Sequence, residues 1–130
     1  MQIKALHQNF IMPTSGSELA GAFDVYMPED GKAYGNPVKV GLGFAAAIPP
    51  GYVALLVPRS GVGANFGVEL NNTCGVIDAD YRGEWKAALR TKDGRAFEWK
   101  AGDRVLQFMV VPVWKGNLEL VEELSETDRG

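Results

Sequence analysis

Apolar residues in this chain come in short runs. Val, Ile, Leu, Phe and Trp cluster for a few positions and then break at Gly, Pro, Asn or Asp, and no segment sustains a helical apolar period over three turns. The pattern predicts an all-β chain. Strands are expected near 2–7, 22–27, 38–47, 51–57, 67–70, 73–78, 84–90, 95–98, 104–113 and 118–122. Met27-Pro28-Glu29-Asp30-Gly31 and Ile48-Pro49-Pro50-Gly51-Tyr52 are turn signals, and Lys92-Asp93-Gly94-Arg95 reads as a two-residue Asp-Gly hairpin turn. Many short strands at this spacing mean a sandwich, a barrel or a jelly roll. No repeat, linker or low-complexity tract divides the chain, so residues 1–130 are expected to form one domain.

Two stretches carry more than this pattern. Gly75 to Trp85, GVIDADYRGEW, places Asp78, Asp80, Tyr81 and Arg82-Gly83 between two apolar runs, which predicts a β-hairpin with carboxylates at its tip. Asp78 follows Val76 and Ile77, so it is the acid closer to the apolar frame, and desolvation there would make it the better general base. Asp80 and Arg82 are explained as turn residues. Tyr81 offers a flat face to a sugar or base, or packs on the hairpin. The second stretch, Arg104 to Val113, is apolar on both faces, with Leu106, Phe108 and Val110 on one and Val105, Met109 and Val111 on the other. Such a strand must be covered twice, and sister subunits are one way to do it. Gln107 sits inside it. A buried amide needs hydrogen-bond partners, and both a satisfied structural amide and a ligand-binding one meet that need.

One acid lies in an otherwise apolar strand, Ala22-Phe23-Asp24-Val25-Tyr26. To stay ionised Asp24 needs a cation or several donors; Arg59 is a candidate partner, and a bound metal is the alternative. Arg59 belongs to Leu56-Val57-Pro58-Arg59-Ser60-Gly61, which ends a strand and runs into a possible single helical turn over Val62 to Asn65. With Ser60 as N-cap and Gly61 behind it, backbone N–H groups would point outward, an arrangement suited to phosphate, and Arg59 would add a bidentate donor. An Arg-Ser-Gly turn alone is a weak signal.

Composition narrows the classes. An apolar fraction of 46% with 22% charged residues is ordinary for a globular domain and argues against disorder. The net charge of −3 offers no broad basic footprint, so stable nucleic-acid binding is not expected and an anionic ligand must be met by a local cluster. A lone Cys74 excludes an internal disulfide and a multi-thiolate zinc site, and a lone His7, expected within the first strand, argues against a His-based metal centre or a Ser-His-Asp triad. No apolar run approaches membrane-spanning length and MQIKALHQ has no signal-like core, so an intracellular, soluble protein is expected.

At the chemistry-bearing residues the chain resembles the trimeric deoxyuridine triphosphatase (dUTPase) family. Ala20-Gly21-Ala22-Phe23-Asp24-Val25, Pro58-Arg59-Ser60-Gly61, Asn72 with Gly75 to Glu84, and Gly102-Asp103-Arg104 with Gln107 match its first four motifs in order and spacing across residues 20 to 107. The resemblance implies a jelly-roll or distorted-barrel subunit in a homotrimer with shared active sites. An arm from about residue 115 would reach a neighbouring subunit. It implies hydrolysis of dUTP to dUMP and pyrophosphate with Mg²⁺, in the cytoplasm or in a host-cell interior. By position, Asp78 would activate the water that attacks the α-phosphorus, and Tyr81 would pack beneath the deoxyribose. Asn72 and the backbone at Val76 and Ile77 would read the uracil edge, and Lys86 would contribute through its backbone. Ser60, Gly61 and Gln107 would hold the phosphates, with Arg59 beside them or bracing a closing tail. Asp24 would act on the metal indirectly, through water.

Two departures are small: Val62-Gly63-Ala64-Asn65 follows the second motif where the family often has Leu-Ala and a basic residue, and Leu106 replaces a common small residue. A third is larger. The sequence stops at Arg129-Gly130, where the family's Gly-rich fifth motif begins, so either the tail is truncated or it lies outside this sequence; a tail-less form is expected to bind nucleotide and turn over poorly. The related dCTP deaminases and a catalytically weak regulatory trimer are the alternatives. Asp78-Ala79-Asp80-Tyr81 and the intact Arg59, Ser60 and Gln107 favour the triphosphatase.

Overall fold

The computed structural model describes all residues, 1–130. As the apolar pattern requires, it is built from strands, with one short helix. In chain order the elements are β1 (Gln2–Ala5), β2 (Thr14–Ser15), β3 (Phe23–Tyr26), β4 (Gly31–Ala33), β5 (Val38–Gly41), β6 (Phe44–Ala47), β7 (Tyr52–Pro58), α1 (Ser60–Phe66), β8 (Val68–Leu70), β9 (Gly75–Ile77), β10 (Lys86–Thr91), β11 (Phe97–Trp99) and β12 (Arg104–Pro112). A five-stranded sheet ordered β2-β3-β12-β7-β9 and a three-stranded sheet β5-β10-β8 are joined by the ribbons β1-β6 and β4-β11. All four close on one core, to which Val25, Leu56 and Phe108 come from the first sheet, Leu70, Ala87 and Leu89 from the second, Phe44 from β6 and Trp99 from β11. Trp85, between β9 and β10, packs its ring on Phe44 and Phe108 with centroids 4.9 and 5.0 Å away. No helix is long and apolar enough to cross a membrane.

β12 is the strand that positions the site. It runs antiparallel between β3 and β7, with Gln107 opposite Asp24 on one side and Val57 on the other. Leu106 and Phe108 point into the core, whereas Gln107, Met109 and Val111 are only half-buried. Apart from Val105, which is buried at the register shift between Arg104 and Leu106, the doubly apolar strand is therefore covered on one face by its own chain. The row Val76, Leu55, Met109 and the pair Val53, Val111 leave an apolar strip on the other face.

Several expectations are corrected. Residues 38–47 are two strands: Gly43 adopts φ +78°, and β5 pairs with β10 while β6 pairs with β1. Gly75 to Trp85 is not a hairpin, because β9 pairs with β7 and not with β10. Nor does Lys92 to Arg95 close a two-residue hairpin, since β11 pairs with β4, although Asp93 does accept the Arg95 N–H at 3.0 Å as a turn aspartate would. One cause explains both: β10 already has β5 on one edge and β8 on the other, which leaves no edge for β9 or β11. β1 ends at Ala5, so His7 lies in a bend, where Nδ1 accepts the Asn9 N–H and Nε2 lies 2.9 Å from Glu29. Residues 118–122 form no strand; they are exposed and pair with none of this chain's strands. The short strands β2 and β4, polar or glycine-containing, carry no apolar run to announce them.

Candidate active site

All the predicted site residues but Gly61, which is exposed in the first turn of α1, line two clefts. The first, about 250 Å³, is lined by Asn72, Gly75, Val76, Ile77, Asp78, Tyr81, Trp85 and Lys86. Its floor is β9, held against β7 through Leu56–Gly75, Leu55–Val76 and Ala54–Ile77. The chain enters through a tight turn in which Thr73 donates to the Leu70 carbonyl at 2.9 Å and Cys74 to that of Asn72 at 2.8 Å. Thr73 takes φ +71°, a left-handed conformation costly for a β-branched residue. The Asn72 amide donates to the Cys74 carbonyl at 3.0 Å, so the side chain is set by its own loop. On the far wall Tyr81 donates its hydroxyl to the Glu84 carbonyl at 2.9 Å, and the Arg82 guanidinium caps the carbonyls of Ala79 and Tyr81.

Asp78 sits at the rim of this cleft, exposed in the single chain. The desolvation expected from its apolar neighbours is absent, because Val76 points outward and the loop after β9 leaves the sheet rather than doubling back on it. Asp78 and Asp80 also border a larger groove of about 670 Å³ on the other side, with Tyr52, Arg82 and Lys115.

The second cleft, about 380 Å³, collects Gly16, Ala20 to Ala22, Asp24, Arg59, Ser60, Gln107 and Met109. The expected Asp24–Arg59 pair is present, with Arg59 Nε 3.2 Å from one carboxylate oxygen. Its other oxygen meets Arg104 at 3.2 Å, a residue of the fourth motif for which the sequence suggested no partner. Arg59 also donates to the Arg104 carbonyl, and its backbone N–H to that of Val105, which ties the end of β7 to the start of β12. Two guanidinium groups on one carboxylate leave the cluster net positive, as an anion site requires. Gln107 donates to the Pro58 carbonyl at 3.2 Å while lining the cleft, so the two readings of this amide are compatible. The helix is longer than expected and begins two residues earlier: Ser60 is its first residue and Arg59, not Ser60, the N-cap, with no side-chain capping bond. Extended φ and ψ at Arg59 let its side chain turn back to Asp24 and leave the Ser60 hydroxyl exposed.

No residue lines both clefts. The register of β9 on β7 continues Asp78 to the level of Val53, four residues along β7 from the partner of Gln107. With two inter-strand steps and four residues of strand between them, Asp78 and Gln107 lie on the order of 17 Å apart within one chain. A general base must come within hydrogen-bond reach of the proton it takes, so one chain cannot present both groups to one phosphate.

Comparison with known proteins bears on these clefts. Residues 8–130 match the family model described as dUTPase. Deoxyuridine 5'-triphosphate nucleotidohydrolase of Syntrophotalea carbinolica is 41% identical, over 99% of this chain and 90% of its own. The protein of that name from Nautilia profundicola is 38% identical, over 100% of this chain and 92% of its own. Among solved structures, the dUTPase of Staphylococcus bacteriophage 80alpha with dUPNHPP has a TM-score of 0.88 at 25% identity, covering 99% of this chain and 92% of that one. A mutant dUTPase from phage phi11 of S. aureus, described with a structural Mg(II) ion, has a TM-score of 0.84 at 24% identity, covering 94% and 96%.

Proposed function

The chain belongs to the dUTPase family, and from that premise we propose that it cleaves dUTP to dUMP and pyrophosphate in a site shared between copies of this chain. The observation that carries this reading is the sorting of polar groups. One cleft offers loop backbone, an amide and a tyrosine ring, suited to a base and sugar; the other offers guanidinium, hydroxyl and amide groups, suited to phosphates. In the first, Asn72 and the backbone of Val76 and Ile77 pair with the uracil edge, and the Lys86 backbone closes that side. A cytosine would leave donors facing donors, which a desolvated site penalises heavily. Tyr81 packs under the deoxyribose and excludes a 2′-hydroxyl. In the second, Arg59, Ser60, the Gly61 amide and Gln107 hold the phosphate chain.

Asp78, at the rim of the base cleft, takes the proton of a water as that water attacks the α-phosphorus, and pyrophosphate leaves. Assembly with a second copy would bring Asp78 out of solvent and up to the phosphates, supplying the desolvation it lacks in one chain. The apolar strip of Val53, Leu55, Val76, Met109 and Val111 is a surface such assembly would bury, and a homotrimer is the arrangement we favour. The segment beyond Val113 fits an arm laid on a neighbour, since Trp114, Leu118, Leu120 and Leu124 are all exposed.

Mg²⁺ fits this site as an ion carried by the substrate. Both oxygens of Asp24 are engaged by Arg59 and Arg104, and no three His, Cys, Asp or Glu residues gather to cage a metal. Mg²⁺ keeps waters and phosphate oxygens as ligands, so Asp24 would act on it through water. Bound there, the ion would neutralise charge on the triphosphate. We place the reaction in the cytoplasm, or in the host-cell interior for a viral protein, where the nucleotide substrate is found. The test is pyrophosphate release from dUTP, dTTP, dCTP and UTP with Mg²⁺, for the wild type and Asp78→Asn. Release from dUTP alone, reduced about 10³-fold in the variant, is expected. Similar rates on all four nucleotides, or full activity of the variant, would refute the assignment, and ammonia from dCTP would point to a deaminase instead.

A further inference from the structure

Tyr81 reaches the base cleft from a loop, and a loop that gauges a sugar has to be held still. Its hydroxyl donates to the Glu84 carbonyl at 2.9 Å, so the ring is only as fixed as the backbone at Glu84. That backbone is fastened from the other side. The Glu84 carboxylate accepts the Gly43 N–H at 3.1 Å, across the corner between β5 and β6. Leu42 donates to the Trp85 carbonyl at 2.8 Å and Trp85 to that of Phe44 at 2.9 Å, so the neighbouring residue is pinned to the same corner by backbone bonds. The Glu84 bond differs from these in being made by a side chain, and an ionised acceptor strengthens it.

Two glycines leave the space this arrangement needs. A Cβ on Gly41 would lie 2.5 Å from the Glu84 carboxylate oxygen, and one on Gly83 would lie 2.6 Å from the Tyr81 hydroxyl. Neither position has room for a larger residue unless the side chain opposite gives way. The run from Gly43 through Glu84 to Tyr81 is thus a packed chain of contacts that ends at the proposed sugar gauge.

We infer that Glu84 is a positioning residue for nucleotide selection: its carboxylate, clamped on the Gly43 amide, fixes Tyr81 against the deoxyribose and so sets the preference for deoxyribonucleotide over ribonucleotide. This rests on the reading of Tyr81 given above. Glu84 touches no substrate in this scheme. Its loss releases the loop, and a ribose 2′-hydroxyl is then less strictly excluded.

The test is the ratio of kcat/KM for dUTP to that for UTP, which a general loss of folded protein would not move because both rates fall together. Glu84→Ala should lower the ratio roughly tenfold, the weight of one intramolecular hydrogen bond, mainly by raising KM for dUTP. Glu84→Gln keeps an acceptor oxygen and should restore the ratio to within about twofold of wild type. If Glu84→Ala does not fold, Gly41→Ala provides a second route, because its methyl group displaces the carboxylate without deleting it and should lower the ratio in the same direction. Tyr81→Phe should lower it too, and combined with Glu84→Ala should add little, since the two act through one contact. An unchanged ratio in both Glu84→Ala and Gly41→Ala overturns the inference, as does a Glu84→Gln variant no better than Glu84→Ala, or fully additive losses with Tyr81→Phe. A wild type that does not distinguish dUTP from UTP would instead overturn the reading of Tyr81 itself.

Discussion

The base cleft and the phosphate cleft are built on opposite plans. The base cleft comes from one stretch of chain, Asn72 to Lys86, and its polar groups are largely backbone, fixed by local turns and by strand pairing on β7. The phosphate cleft takes single residues from β3, the end of β7 and β12, distant in sequence and brought together by strand order. It is held by charge: Asp24 accepts from both Arg59 and Arg104. On the proposed function, the contrast follows from what each end would recognise. A planar base edge calls for a fixed donor and acceptor pattern, which a short loop supplies, whereas a phosphate chain calls for concentrated positive charge, which needs several side chains and a carboxylate to organise them.

The strongest test of this division is complementation between two crippled chains. Asp78→Asn damages only the base-cleft half and Gln107→Ala only the phosphate half, and each homogeneous protein should be nearly inactive on dUTP. When the two are unfolded and refolded together, shared sites predict that about a quarter combine both intact halves, if subunits mix at random. Pyrophosphate release should then return to about a quarter of the wild-type rate. A mixture no more active than its parents would mean that each chain carries a whole site, contrary to the separation of Asp78 and Gln107 along the sheet.

Arg59 provides a smaller effect confined to one cleft. Its guanidinium reaches Asp24 through Nε and the Arg104 carbonyl through a terminal nitrogen, a fork that a lysine ammonium cannot reproduce. Arg59→Lys should lower kcat/KM for dUTP about 10- to 100-fold, with little change in the dUTP-to-UTP ratio, since the sugar end is untouched. Arg104→Lys should cost less, because Arg59 still holds one oxygen of Asp24. Steady-state kinetics on both nucleotides would check this, and a changed sugar preference in Arg59→Lys would mean that the clefts are not independent.

The same contrast explains what could be read from the chain. In the base cleft Asp78 and Tyr81 stand out from the residues themselves, whereas Asn72, Val76, Ile77 and Lys86 rest on the family resemblance; the Asp24–Arg59 pair is legible because an acid in an apolar strand demands a cation. The hairpin expected at Gly75 to Trp85 is absent for a reason that no local pattern records. Strand runs and a turn signal are equally consistent with pairing to each other or elsewhere, and only the occupied edges of β10 decide. Arg104 is named in the fourth motif, but its pairing with Asp24 is not legible until β12 is seen beside β3. The exposure of Asp78 and the unpaired residues 118–122 share another cause. Neither the exposure of a residue nor the pairing of a strand is written in the residues beside it.

The smallest effect expected lies under the phosphate cleft. The turn that launches β12 is fastened to the end of β3: Met27 donates to the Asp103 carbonyl at 2.9 Å and Gly102 to that of Met27 at 2.8 Å. Asp30 adds a side-chain tie, accepting the Ala101 N–H at 2.8 Å with Lys100 nearby. First that N–H and then the Lys100 charge hold the Asp30 carboxyl below its ordinary value of 3.8. Because the folded-state value is the lower one, the tie contributes stability above pH 3.8, and the contribution is lost as the pH falls below that toward the folded value. Asp30→Asn should therefore have a slightly lower Tm than wild type at neutral pH, with the gap closing in acid. The effect is small because the group is exposed to solvent, where such contacts are screened. Thermal melts of both proteins from neutral pH to pH 3 would measure it. A gap that stays constant over this range would show that the Asp30 carboxylate does not help hold the turn that aims Gln107.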